Sequence, residues 1–274
     1  MLKKLLKYDF LSIKRYLIPL LILTPSVAFA IGMIGYAGNR IETPLIQMGM
    51  MTMYGLGILA LVLSVALLPV LLIVRYFTGM FGDAGYITLL LPVSRKTLLL
   101  SKVLNAVILM AGYVVVAFFS LGFAFFVPST YGSGHGIFFA FKLSFEFVKG
   151  LLNYVGGSSA GAVVAIVFYL LFLLTFMFSL FFTGVTMGAA IFQGKAKIAG
   201  SIGFCVVAYF AWSVIKTAIE AIPTAILVTS GAESITDPKV LLIFFIAETL
   251  LYAGFSVGLF FLNSHLIDRK LNLT

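Results

Sequence analysis

The chain has 274 residues, of which 62% are hydrophobic and 10% are charged, and its formal net charge is +9. Soluble domains carry about 25% charged residues, so this composition excludes an ordinary soluble fold covered by polar side chains. It indicates helices solvated by lipid, where apolar runs of about 20 residues are expected. The basic residues form short clusters beside apolar runs, which favours anionic lipid as their partner and argues against nucleic acid.

Residues 1–16 have the pattern of an amphipathic helix. Apolar residues recur at helical spacing, and five basic residues occupy the other positions. Such a helix lies in the membrane interface rather than crossing the bilayer. A cleaved signal peptide is the alternative, because Ala28-Phe29-Ala30 resembles a cleavage site. Asp9 and the apolar run beyond Ala30 favour a helix that is retained.

Six apolar stretches follow, each long enough to cross a bilayer. The predicted spans are about 17–37, 50–74, 103–127, 161–187, 198–215 and 240–263. Proline residues inside them are compatible with this prediction, because neighbouring helices in a membrane satisfy the freed carbonyl groups. The predicted fold class is therefore an all-α polytopic membrane protein, with residues 1–274 forming a single transmembrane domain.

The distribution of basic residues predicts that both termini are cytoplasmic. With the N-terminus inside, inner segments carry 13 of the 18 Lys and Arg residues, and outer segments carry five. The positive-inside rule favours this orientation. Residues 76–102 then form a cytoplasmic loop, and residues 128–160 and 216–239 form extracellular segments. Within 138–148 the aromatic spacing fits a helix or a strand, and we favour an interfacial helix.

Residues 83–102, with the sequence DAGYITLLLPVSRKTLLLSK, are the main polar stretch between two apolar blocks. Residues 83–91 can form a short helix. Pro92 disfavours the α conformation of the residue before it, so this helix is expected to stop at Leu91. From its residues alone, the stretch predicts either a contact site for a soluble partner or a plain inner loop that obeys the positive-inside rule.

The start of the third span has an unusual charge pattern. Ser94 is a candidate N-cap for this helix. Arg95 and Lys96 follow in the first turn, where positive charge opposes the helix dipole. We therefore interpret these cations as ligands of lipid phosphate or of an acidic partner surface, and not as contributors to helix stability.

The stretch YITLLLPVSRKTLLLSK resembles the cytoplasmic loop of the ABC transporter type-2 permeases, the six-span membrane subunits of bacterial ABC exporters. That family shows an acidic-Gly-Tyr-Leu-Thr start, a Leu-Pro-Val-Ser-Arg core and a Ser-Lys close. The matching residues are Asp83, Gly85, Tyr86, Thr88, Leu91, Pro92, Val93, Ser94, Arg95, Ser101 and Lys102. Many relatives carry a second acid after the first, and this chain has Ala84 there. The amphipathic N-terminus and the six-span layout also match.

The resemblance implies a permease subunit that exports an amphipathic or hydrophobic cargo such as a peptide, bacteriocin, drug or lipid. Two permeases, identical or related, would pair in the bacterial cytoplasmic membrane, and cytoplasmic ATP-binding subunits would dock below and hold ATP and Mg. This chain would hold no cofactor. Residues 1–16 would resemble the elbow helix of the family. The expected coupling residues are Asp83, Gly85, Tyr86, Thr88, Leu91, Pro92, Ser94 and Arg95.

No catalytic machinery is visible in the sequence, so we expect the chain not to be an enzyme. Residues 188–195 resemble a P-loop but have one residue too many between the glycines. Ala196 also replaces the Ser or Thr that would hold magnesium. No Ser-His-Asp set and no cluster of paired carboxylates is present in the sequence.

Glu248 is the one ionisable residue inside a predicted span. It lies roughly 12 Å along the helix from Val240. A charge at this depth is costly, so the side chain is expected to face protein or water. Glu248 is therefore a candidate for the substrate path, and a buried hydrogen-bond donor or a protonated carboxyl is the alternative.

Two other function classes stay open. A stand-alone secondary transporter or channel would need several intramembrane polar groups or matched broken helices, and the sequence offers one buried acid and no clear repeat. A non-transporting membrane scaffold, or an immunity or regulatory subunit, would need neither of these features.

Overall fold

The computed structural model describes residues 2–82, 85, 93–129, 139, 142, 143, 145, 146, 149, 150, 160–194, 196–229 and 238–270. Over these residues the chain forms six long α-helices and no β-strand. They are α1 (Leu2–Gly38), α2 (Pro44–Phe81), α3 (Arg95–Ser129), α4 (Ala160–Ile191), α5 (Ala196–Thr229) and α6 (Pro238–Lys270). All six are long and apolar enough to cross a membrane. The predicted all-α fold is confirmed, and the helices indicate a multi-pass membrane protein.

Helix α1 runs without interruption for 37 residues, so residues 1–16 do not form a helix separate from the first span. Ile13, Leu17 and Leu20 are buried at helical spacing across the expected boundary. Pro19 lies inside the helix, where it removes one backbone hydrogen bond without ending it. The apolar stripe thus continues across the boundary, and the amphipathic segment forms the first turns of α1.

The other helices extend beyond the predicted spans. Helix α2 continues to Phe81, and α5 continues past Lys216 to Thr229. The prediction counted uncharged residues, whereas a helix can continue with charged residues where its backbone leaves the lipid. The first part of the segment 216–239 is therefore helical, and so is the first part of the loop 76–102.

Short connections join two pairs of helices. Residues 39–43, which include the charged Arg40 and Glu42, link α1 to α2. Asn39 Nδ2 donates to the carbonyl oxygen of Pro128 at 3.0 Å, which fixes the start of this link. Between α4 and α5, Gly194 adopts a φ of 59°. This left-handed conformation favours glycine because other residues meet a steric penalty from Cβ.

The described residues between 139 and 150 are all helical, in line with the favoured interpretation of this stretch. Lys142 Nζ lies 3.7 Å from Glu146 Oε1, one helical turn away. Both side chains are more than half exposed, so this ion pair contributes little to stability.

The chain divides into two compact units. Unit 1 comprises Met1–Leu6, Leu72–Val107 and Tyr154–Thr274, and unit 2 comprises Lys7–Leu71 and Ile108–Asn153. Helices α2 and α3 each contribute residues to both units. In unit 1, α4 packs against α5 and α6 around Phe176, Leu180 and Tyr252. In unit 2, α1, α2 and α3 enclose the buried residues Ala28, Ile31, Leu61 and Ala124.

Candidate functional site

Three of the eight expected coupling residues, namely Gly85, Ser94 and Arg95, lie in the described part of the chain. The other five, Asp83, Tyr86, Thr88, Leu91 and Pro92, lie outside the described residues, as does most of the expected coupling helix. Gly85 is buried, and its N–H donates to the carbonyl oxygen of Gly82 at 2.8 Å. A Cβ at this position would overlap the carbonyl group of Met80, so the close approach requires glycine.

Ser94 caps the N-terminus of α3, as predicted. Its Oγ accepts a hydrogen bond from the backbone N–H of Thr97 at 3.3 Å and lies 2.7 Å from Thr97 Oγ1. Its carbonyl oxygen accepts the N–H of Leu98 at 3.1 Å. These bonds satisfy part of the unpaired first turn, so the start of α3 is fixed at a defined residue.

Arg95 contacts the C-terminal end of α6. Its Nη1 donates to the carbonyl oxygens of Ile267 at 2.8 Å and Asp268 at 3.3 Å, and lies 3.7 Å from Asp268 Oδ1. The last carbonyl groups of a helix lack intrahelical donors, and a cation near them is favourable. The interpretation that Arg95 does not contribute to helix stability was wrong. Arg95 opposes the dipole of α3, but it donates to carbonyl groups in the last turn of α6.

A buried polar cluster in unit 1 was not identified from the sequence. Tyr76 OH lies 2.9 Å from Thr186 Oγ1, and Asn263 Nδ2 donates to Tyr76 OH at 3.4 Å. All three side chains are buried, and the Tyr76 ring stacks on Phe182 with a centroid distance of 4.0 Å. We call Tyr76, Thr186 and Asn263 the Tyr76 network. It joins α2, α4 and α6.

The protons of the Tyr76 network can be assigned from its geometry. Thr186 Oγ1 donates to the carbonyl oxygen of Phe182 at 2.8 Å, so Tyr76 donates to Thr186 and accepts from Asn263. Asn263 Oδ1 and the neighbouring Ser264 Oγ are buried and have no hydrogen-bond partner among the described residues. Because buried polar groups are almost always paired, this end of the network is incomplete.

The sequence contained only a weak signal for this network. Asn263 follows an apolar run, and an amide at such a position is expected to find a polar partner. Its partner Tyr76 is 187 residues away along the chain. Local spacing could not have paired the two side chains.

Glu248 is half-buried in α6, at the edge of a small cavity. It lines a cavity of about 20 Å³ together with Trp212, Lys216, Ile219, Leu251 and Tyr252. Such a volume holds about one water molecule. Tyr169 makes a side-chain hydrogen bond with Glu248. Lys216, which lines the same cavity, carries the opposite charge. A role for Glu248 in substrate passage stays a prediction.

Comparisons with known proteins do not identify the chain. No protein-family model, curated protein or solved structure matches it. In the described part of the chain, no group of three or more His, Cys, Asp and Glu residues is placed to hold a metal ion. The residues and contacts of the loop ends, the Tyr76 network and the Glu248 cavity therefore carry the functional inference.

Proposed function

We propose that the chain is the transmembrane permease subunit of an ATP-driven ABC exporter in the bacterial cytoplasmic membrane. ATP hydrolysis would take place in separate nucleotide-binding subunits, which would hold the ATP and Mg. The observation that carries the proposal is the motif of residues 83–102, which connects α2 to α3 in a chain of six apolar helices. A second permease copy or a paralogue would complete the membrane part.

The ends of this loop are anchored in a way that suits a coupling element. Ser94 fixes the start of α3, and Arg95 contacts the last turn of α6. On the other side of the loop, Tyr76 near the end of α2 is hydrogen-bonded to Thr186 of α4. A force applied to the loop by an ATPase would therefore reach several helices of unit 1 at once.

The N-terminal segment supports the same proposal. In place of a separate elbow helix, the first turns of α1 carry exposed basic side chains, including Lys3, Lys4 and Lys14, which would lie at the cytoplasmic interface. The cytoplasmic placement of both termini follows from the positive-inside rule. The cargo would be amphipathic or hydrophobic, such as a peptide, bacteriocin, drug or lipid.

The central test is capture of the ATPase. A photo-crosslinking amino acid is placed at Tyr86 in the loop or, as a control, at Tyr209, which is exposed on the apolar surface of α5. The variants are expressed in the native host membrane and irradiated. We expect the Tyr86 variant to crosslink to a soluble ATP-binding subunit and the Tyr209 variant not to do so. If no ATPase were found in the Tyr86 adducts or in mild-detergent purifications, the proposal would be contradicted.

A secondary transporter driven by an ion gradient is the second candidate. The Glu248 cavity favours it, because buried ionisable groups in membrane spans often mark proton or ion pathways. This candidate predicts transport by the purified chain in vesicles with a proton gradient and no ATP, and loss of that transport in Glu248→Gln. The exporter predicts no transport without the ATPase. A scaffold or regulatory subunit predicts no transport under either condition.

A further inference from the structure

A cleft between the start of α3 and the end of α6 contains residues that neither candidate function uses. It has a volume of about 520 Å³, and both of its walls belong to unit 1. Lys96 lines it from α3. The residues that line it from α6 are Phe261, Leu262, Ser264, His265 and Asp268.

The cleft is lined by one cation, Lys96, and by one carboxylate, Asp268. Asp268 is paired with Arg95 at 3.7 Å, so its charge is largely offset. Lys96 is exposed, and its Nζ lies 5.9 Å from the centroid of the Phe261 ring. The exposed His265 adds a ring N–H that can donate a hydrogen bond. Cationic and neutral donors therefore face an opening that an anion can enter.

The apolar wall indicates what kind of anion fits. Phe261 and Leu262 are 57% and 42% exposed, respectively, beside the charged groups. Ser264 also lines the cleft, but its Oγ is enclosed and therefore offers no accessible hydrogen bond to a ligand. An inorganic anion would gain nothing from the two apolar side chains. A lipid, with a phosphate next to its glycerol and acyl groups, would use both surfaces.

We propose that this cleft binds an anionic phospholipid. Lys96 and His265 would hold the headgroup phosphate, and Phe261 and Leu262 would contact the glycerol and upper acyl region. The site lies where the apolar part of α6 gives way to the polar residues after Leu262, which is the expected depth of a headgroup. It does not depend on the chain being an exporter, so failure of either proposal leaves the other standing.

The test measures lipid binding to the full-length chain in detergent by native mass spectrometry. Phosphatidylglycerol and phosphatidylcholine with the same acyl chains are titrated separately. Wild-type protein should bind phosphatidylglycerol more tightly. Lys96→Gln should weaken that binding about fivefold, the factor that corresponds to ~1 kcal/mol per basic residue near a lipid surface. The double variant Lys96→Gln/His265→Gln should bind phosphatidylglycerol more weakly than Lys96→Gln does. Lys96→Arg should retain the binding.

Lys14→Gln is the matched control, because Lys14 is also exposed, does not line the cleft, and its replacement removes the same unit of charge. We expect this variant to bind phosphatidylglycerol as the wild type does. If Lys14→Gln and Lys96→Gln weakened phosphatidylglycerol binding equally, the lipid would be attracted by the overall positive charge, and the proposal of a specific site would be contradicted. Equal binding of the two lipids would overturn charge recognition. Full displacement of phosphatidylglycerol by excess inorganic phosphate would assign the cleft to a soluble anion instead.

Discussion

Each unit contains a buried tyrosine that joins three helices, but only one of the two networks is complete. In unit 2, Tyr113 OH lies 2.7 Å from Thr24 Oγ1 and 3.1 Å from the carbonyl oxygen of Ser64, and it can donate its one proton to either oxygen. Thr24 Oγ1 also lies 3.0 Å from the carbonyl oxygen of Leu20, so each hydroxyl has an acceptor. In unit 1, the Tyr76 network ends at Asn263, whose Oδ1 is unpaired among the described residues.

The difference follows from the chemistry of the side chains. A hydroxyl has one proton, and a backbone carbonyl of its own helix can always accept that proton, as Leu20 does for Thr24. An amide has two donor hydrogens and an acceptor oxygen, so Asn263 needs partners from several directions. Its unpaired Oδ1 lowers the stability of the packing of α6 relative to a fully paired network. We expect unit 1 to open at lower free energy than unit 2.

Gly188 in unit 1 should give the largest loss of stability. A Cβ at this position would overlap the backbone of Ser201, so Gly188→Ala forces α4 and α5 apart. A Cβ at Gly35 in unit 2 would meet Pro128 Cγ at 2.6 Å and the Tyr54 ring at 2.8 Å, which are side-chain atoms rather than backbone. Overpacking typically costs 1–3 kcal/mol, so we expect about 3 kcal/mol for Gly188→Ala and about 1 kcal/mol for Gly35→Ala. Thermal unfolding in detergent measures both.

Gly203→Ala is the control for this pair, because a Cβ at Gly203 has no atom within 4 Å. It should leave the unfolding midpoint unchanged or raise it, since Ala is the better helix former. If Gly188→Ala unfolded at the same temperature as Gly203→Ala, the close packing of α4 on α5 would be contradicted.

Removal of one hydroxyl from each network compares the two tyrosines directly. Tyr76→Phe leaves the Asn263 amide without its hydrogen bond in a buried position, so we expect a cost of about 2 kcal/mol. Tyr113→Phe leaves Thr24 paired with Leu20, so we expect about 1 kcal/mol or less. Stability in detergent, measured by urea or thermal unfolding, decides the order. A larger cost for Tyr113→Phe would reverse the comparison.

Replacement of Asn263 and of Thr24 should change the stability of the protein differently in the two networks. Asn263→Leu removes the buried Oδ1, which has no partner among the described residues. It also removes the hydrogen bond of 3.4 Å from Asn263 Nδ2 to Tyr76 OH. We expect stability to change by less than about 1 kcal/mol, or to rise. Thr24→Val removes a hydroxyl that is fully paired in unit 2, and should destabilise the protein by about 1 kcal/mol. Strong destabilisation by Asn263→Leu would mean that the amide is well satisfied.

The smallest effect is expected at the end of α6. Arg95→Gln removes the cation from the last turn, where the ion pair with Asp268 is half exposed and worth less than about 1 kcal/mol. Global stability should hardly change, but amide hydrogen exchange of residues 264–270 should become faster. Arg95→Lys should give an intermediate rate, because it keeps the charge and loses the forked geometry. Unchanged exchange in Arg95→Gln would show that α6 does not depend on this contact.

Composition and hydropathy are enough to predict the helical layout. Long uncharged runs must form helices in lipid, because every backbone N–H and C=O group has to be paired within its segment. Ser94 predicted the start of α3, since a hydroxyl there can accept from the unpaired first turn. The break between the first two apolar runs, where Arg40 and Glu42 lie, coincides with the link between α1 and α2. The extension of α1 through residues 2–16 could have been inferred from the helical spacing of Ile13, Leu17 and Leu20 across the expected boundary.

Which side chains meet depends on how helices that are distant in the sequence pack against each other. Arg95 and Ile267 are 172 residues apart, and Tyr76 and Asn263 are 187 apart, so no local spacing pairs them. In a soluble protein, the apolar face of a helix shows which side packs inward. Here lipid solvates apolar side chains on every face, as the exposed Ile202, Val207 and Phe210 of α5 illustrate. The few polar groups fix the contacts, and their partners are set by the packing of distant helices.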